Sequence, residues 1–64
     1  MRIFTVTVEL KSPEPVGPEA VFAVKADTSS QAKEMVRRRY PVQYTKGSRP
    51  FDRAKDANAT RIGW

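Results

Sequence analysis

Neither cysteine nor histidine occurs among the 64 residues. Without Cys, no disulfide staples this small chain, and without either residue the usual zinc and haem ligands are missing. The commonest general base and the best thiol nucleophile are missing too. Carboxylates are few and scattered: Glu9 and Glu14 flank a loop as lone acids, not as a glycosidase-like pair. Gly17, Gly47 and Gly63 stand apart, so no glycine-rich phosphate loop is present. These absences predict a non-catalytic protein with no metal and no cofactor. No apolar run approaches the roughly 20 residues of a membrane span. Polar Thr5, Thr7 and Glu9 interrupt any signal-peptide core. The expectation is a cytoplasmic protein with no membrane partner.

What is present is basic and unevenly placed. Residues 1–32 hold Arg2, Lys11 and Lys25 against Glu9, Glu14, Glu19 and Asp27, a net charge of −1. Residues 33–64 hold nine bases against Glu34, Asp52 and Asp56, a net charge of +6. Such asymmetry points to a polyanion or an acidic protein surface as partner, with a solvated, solubilising face as the plainer alternative. Hydrophobic residues are 39% and charged residues 30%, polar for a globular chain, but the apolar positions are periodic and disorder is not expected. One domain over 1–64 follows. At this size only about 60% of the unfolded surface is buried, and stability is marginal.

Residues 2–10 alternate, with Phe4, Val6, Val8 and Leu10 on one side, a strand signal. Pro13, Pro15, Gly17 and Pro18 make residues 11–19 a loop, and residues 20–26 a second strand, antiparallel to the first, with Phe22, Val24 and Ala26 inward. Thr28 and Gln31 fit a capping box opening a helix whose stripe is Ala32, Met35, Val36 and Tyr40. Pro41 ends it. Residues 42–46 read as a third strand with Val42 and Tyr44 on one face, and Gly47, Ser48 and Pro50 as a turn. Residues 51–59 fit either a loop or a short helix using Ala54 and Ala57, and 47–60 is a candidate mobile loop. Ile62 and Trp64 alternate as a short fourth strand. The predicted class is α+β: a three- to four-stranded antiparallel sheet in β-β-α-β order, with one helix on one face. Its core is Phe4, Val6, Val8, Phe22, Val24, Met35, Val36 and Tyr44, and Ile3 and Val21 are left on the open face.

Lys33 and Arg37 share a helix edge at i,i+4, where like charges destabilise the helix slightly, so folding does not favour them. Glu34 and Arg38 at the same spacing attract. Arg39 lies near the apolar stripe, its stem packed and its head near the last carbonyls. Lys46, Arg49, Arg53, Lys55 and Arg61 follow, interleaved with Tyr44, Phe51 and Trp64. Arg forks suit phosphate or carboxylate. Aromatics among bases suit stacking on unpaired nucleotides or a protein hot spot. Equally, Phe51 and Trp64 fit as satellite core residues. The candidate partner-binding set is Lys33, Arg37, Arg38, Lys46, Arg49, Arg53, Lys55, Arg61, Tyr44 and Trp64. Helix-turn-helix, RNA-recognition-sheet and GxxG signatures are absent.

The run from Ala23 to Tyr40 (AVKADTSSQAKEMVRRRY) resembles small phage-encoded host-takeover proteins of β-β-α-β layout. The matching positions are Val24, Ala26, Asp27, Thr28, Gln31, Ala32, Lys33 and Val36. Two such families are similar in layout over residues 3–46: the podophage inhibitor of bacterial RNA polymerase and the small anti-CRISPR proteins of type I systems. The resemblance implies an inhibitor in the host bacterial cytoplasm, acting as a monomer or weak dimer on a CRISPR effector or RNA polymerase. The polymerase inhibitors are acidic whereas this chain is +5, which favours a partner surface built to hold nucleic acid. Residues 48–64 have no counterpart, and no functional residue transfers. A direct DNA- or RNA-binding protein and a small structural subunit of an assembly are the alternatives.

Overall fold

The computed structural model describes residues 1–11 and 19–64. The proline-rich stretch expected as a loop falls mostly on 12–18, outside the described residues. The elements run β1 (Arg2–Leu10), β2 (Glu19–Ala26), α1 (Ser29–Arg39), β3 (Val42–Pro50) and β4 (Thr60–Ile62). This is the α+β class and β-β-α-β order read from the sequence, with the short fourth strand added.

The alternation of β1 places Phe4, Val6 and Val8 opposite Val24, Phe22 and Ala20 of antiparallel β2. Each pair shares a face because the side-chain period is two. That face, with Ile62 of β4, meets Ala32 and Val36 of α1. Phe4, Leu10, Met35, Tyr40 and Val42 pack around this centre. Thr28 caps the helix, its Oγ1 accepting from the Gln31 N–H at 3.1 Å. Gln31 Oε1 accepts from the N–H of Asp27 at 2.9 Å, one residue before the expected Thr28. Pro41 disfavours helical backbone at Tyr40, which is extended. Arg37, Arg38 and Arg39 lie exposed in the last turn.

The strand order is β3-β1-β2-β4. β1 pairs antiparallel with both β2 and β3, whereas β2 and β4 are parallel. The sheet is thus mixed, which corrects the wholly antiparallel expectation. β3 lies beyond β1 and runs in the direction of β2. Residues 51–59 then carry the chain back across the sheet, so β4 enters alongside β2 in the same sense. The helix crosses one face and residues 51–59 cross the other. Reversing both the direction of travel and the face used gives the two crossovers the same hand. Ile3, Ala26 and Pro50 mark the upper end of the sheet, and Leu10, Glu19 and Val42 the lower end.

Two bulges in β3 overturn the reading of residues 42–50. The register against β1 shifts between Glu9 and Leu10 and again between Thr7 and Val8. Each shift gives β3 one extra residue and breaks its alternation. Val42 therefore sits beside Leu10 on the helix side, while Tyr44, opposite Glu9, is turned out and 57% exposed. Tyr40 takes the core place assigned to Tyr44, its ring 4.6 Å from Phe22. The expected turn at Gly47–Pro50 is strand: Gly47 follows the extra residue Lys46, and on an edge strand the missing N–H of Pro50 breaks no ladder.

Residues 51–59 form a strap fixed by two aspartates. Asp52 Oδ1 accepts from the N–H groups of Ala54 (2.9 Å) and Lys55 (3.2 Å). The Asp56 N–H reaches the Asp52 carbonyl at 2.8 Å, closing a single helical turn. Asp56, 6% exposed, faces down onto the sheet. Its Oδ2 accepts from Thr5 Oγ1 (2.7 Å), Arg49 Nη1 (2.9 Å) and the Asp52 N–H (2.9 Å). Its Oδ1 accepts from Arg49 Nη2 at 2.6 Å. The Arg49 hydrogen bonds foremost, against the opposing effect of burial and helped by the Asp52 N–H and Thr5 hydroxyl, hold this carboxyl at about 2, below its usual 3.8. The same hydrogen bonding raises the pKa of Arg49.

Folding lowers the Asp56 pKa, so its stabilisation is complete above the unfolded value of 3.8 and is lost as pH falls toward about 2. Asp56→Asn should lower the thermal midpoint at neutral pH by about 10 °C in a domain this small. The midpoint of the variant should also fall less than that of the parent between pH 4 and pH 2. Calorimetry across that range checks both; parallel acid slopes would refute the assignment.

Candidate functional site: the strap face of the sheet

Gly63 adopts φ +78, a left-handed backbone that glycine adopts without the clash a Cβ brings. This turn breaks the expected alternation of Ile62 and Trp64. Ile62 enters the core at 1% exposure, and Trp64 folds back over the opposite face, 50% exposed. A Cβ on Gly63 would lie 3.2 Å from both the Lys25 carbonyl oxygen and the Met35 Cε, so the position is tight as well as left-handed.

Trp64 is held from three sides. Its Nε1–H donates to the Ala23 carbonyl at 3.0 Å. Phe51 meets the indole edge-on, with centroids 5.8 Å apart and planes at 79°. The Arg61 guanidinium carbon lies 4.4 Å from the ring centroid, a cation–π stack that fixes an otherwise mobile side chain. Ile3, Phe51, Arg53, Ala57, Arg61 and Trp64 line one depression of about 590 Å³. Apolar side chains and two arginines line it, and among the described residues no Asp or Glu side chain does. The nearby aspartates of the strap are turned inward onto N–H and guanidinium donors.

The predicted partner-binding residues divide into groups. Arg53, Arg61 and Trp64 come together, joined by Phe51, which the sequence left between core and contact. Lys33 and Arg37 share one edge of α1 on the other side of the sheet. Arg38 pairs with Glu34 at 2.9 Å. Lys46 reaches across the lower sheet to Glu19 at 2.6 Å, and its pKa is raised by that hydrogen bond first and by the charge of Glu19 next. Arg49 serves Asp56. Lys55 lines a separate, smaller depression with Val21, Asn58 and Thr60. Tyr44 sits opposite Glu9, six residues along β1 from Ile3, which at about 3.3 Å per residue is roughly 20 Å from the depression.

Ile3 and Asp56 were absent from the predicted set. Ile3 carried a faint signal as the apolar residue on the outward face of β1. Asp56 carried none, since its role depends on partners 7 and 51 positions away.

Gly63→Ala should destabilise the fold by about 1 kcal/mol or more and loosen the indole. Because Trp64 is the single tryptophan, its emission should shift to the red; unchanged emission would show that Gly63 does not seat it. In comparisons with known proteins, no family model, no curated protein and no solved structure matches the chain.

Proposed function

We propose that this chain is a non-catalytic binding protein, a phage-type inhibitor that docks on a bacterial nucleic-acid-handling complex. Its contact surface is the strap face formed by Phe51, Arg53, Arg61 and Trp64. The observation that carries the reading is Arg61 stacked on a half-exposed Trp64. A large aromatic left half in solvent and a guanidinium fixed beside it are the residue types that dominate binding hot spots. Preorganisation lowers the entropy cost of association.

The charge distribution supports the same surface. Among the described residues, Lys46, Arg49 and Arg38 have carboxylate partners, whereas Arg53 and Arg61 have none within ion-pair distance. Their forks remain open to phosphate or carboxylate. The β-β-α-β layout resembles that of anti-CRISPR and polymerase-inhibitor proteins, and this resemblance supports the class of target. The basic character of this chain, net +5, favours a target site that ordinarily holds or adjoins nucleic acid. Among the described residues, no helix is long and apolar enough to cross a membrane.

Tagged chain incubated with bacterial lysate should retain subunits of a CRISPR effector or of RNA polymerase, identified by mass spectrometry. The variant combining Arg53→Glu, Arg61→Glu and Trp64→Ala should reduce their recovery at least about tenfold, the scale of a lost hot spot. Lys33→Gln with Arg37→Gln should reduce it far less. Equal recovery with the parent and the triple variant would remove this face from the proposal.

A further inference from the structure

We propose that the depression bounded by Phe51, Arg53, Arg61 and Trp64 is a subsite for an unpaired nucleotide of single-stranded DNA or RNA. The inference rests on the reading that the strap face is the contact surface, and it names what occupies that face.

The chemistry of the lining favours a nucleotide over an acidic peptide. Ile3, Phe51 and Ala57 supply apolar lining, and Arg53 and Arg61 supply positive charge beside it. A volume of about 590 Å³ lies within the range that accepts small ligands. A nucleotide brings a flat apolar base and an anionic phosphate together, which matches both parts of the lining. An acidic side chain would use only the charge. The Arg61 guanidinium lies over the indole, and a base laid on the uncovered part of the half-exposed Trp64 ring stacks on the indole beside it.

Duplex nucleic acid presents phosphates but keeps its bases paired, so it cannot cover the apolar lining. The indole N–H is already given to the Ala23 carbonyl, which leaves Trp64 only ring surface to offer. Recognition therefore runs through stacking and charge, and base identity matters little.

The test uses the purified full chain, with oligo-dT, oligo-rC and oligo-rU of about 12 nucleotides, within the range of known single-strand sites. A DNA duplex of equal length and polyglutamate are the comparison ligands. Single strands should quench Trp64 emission. Their log affinity should fall with log salt at a slope of about −1.5 to −2, corresponding to two or three phosphates. Duplex and polyglutamate should bind at least about tenfold more weakly, the scale of one lost stacking contact. The DNA and RNA arms distinguish the natural strand, and either one binding supports the subsite.

With fluorescein-labelled strands, Trp64→Ala should weaken binding about tenfold. Arg53→Gln with Arg61→Gln, both exposed substitutions, should weaken binding and flatten the salt slope by about one or more. Lys33→Gln with Arg37→Gln on the helix should change it less than about threefold. Unchanged thermal midpoints keep the variants interpretable, and the arginine pair carries the test if Trp64→Ala unfolds.

No single-strand binding at about 50 mM salt overturns the subsite, given the strength of phosphate contacts there. Duplex or polyglutamate binding as tight as single strands, or binding without quenching, overturns it equally. If a nuclease-treated lysate still yields the host complex while strands do not bind, this inference fails and the proposed docking stands. If strands bind while no host complex is recovered, the subsite stands and the docking fails.

Discussion

The four hydrogen bonds accepted by the Asp56 carboxylate tie the strap to the sheet. A carboxylate with almost no solvent contact is tolerable only when its charge is matched and its lone pairs are filled. Here Arg49 supplies the charge through a two-pronged contact from β3, Thr5 supplies a hydroxyl from the central strand, and Asp52 supplies a backbone N–H from the strap itself. One side chain thus ties an edge strand, a central strand and the crossover to a common point. The strap could otherwise take many paths between Pro50 and Thr60. Pinned at Asp56, it delivers β4 alongside β2, and Ile62 enters the core as a consequence.

The same constraint shapes the candidate binding surface. Fixing the strap places Phe51, Arg53 and Ala57 against Ile3, and fixing β4 places Arg61 and Trp64 beside them. Neither half makes a depression alone. The division of labour among the bases follows from where carboxylates lie. Arg49, Lys46 and Arg38 are matched to Asp56, Glu19 and Glu34 and serve the fold, or the local charge balance, at least as much as any partner. Exposed pairs such as Arg38–Glu34 are worth little, about 0–1 kcal/mol. Arg53 and Arg61 lack such partners among the described residues and lie beside apolar surface, with Arg61 held by the Trp64 ring.

The dense positive charge of residues 33–64 does not become one patch. The helix leaves the upper end of the sheet and runs to the lower end, so the arginines of its last turn lie far from Arg53 and Arg61 and on the opposite side. A ligand at the strap face meets two or three bases, and the long-range field of the remaining ones assists only its approach. The long free edge of β3 is interrupted by two bulges and carries Lys46, Arg49 and Pro50. Each of these features discourages pairing with another strand, which favours the face of the sheet over its edge as the contact surface.

Local pattern alone was enough for β1, for most of β2, for the helix with its Thr28 cap and Pro41 stop, and hence for the α+β class and the β-β-α-β order. Each of these depends on neighbours within a few residues: alternation, capping hydrogen bonds and the restriction imposed by proline. The basic and aromatic residues of the candidate face were legible in the same way, as composition. Tertiary structure alone decided that β4 runs parallel to β2, that bulges turn Tyr44 outward while Tyr40 fills the core, and that Gly63 throws Trp64 to the other side. It alone brought Arg53 and Arg61, of the nine bases in residues 33–64, to one depression with Trp64. These outcomes rest on register and on contacts such as Thr5 with Asp56, 51 residues apart, and no local propensity encodes a hydrogen bond whose two ends meet only after the sheet has formed.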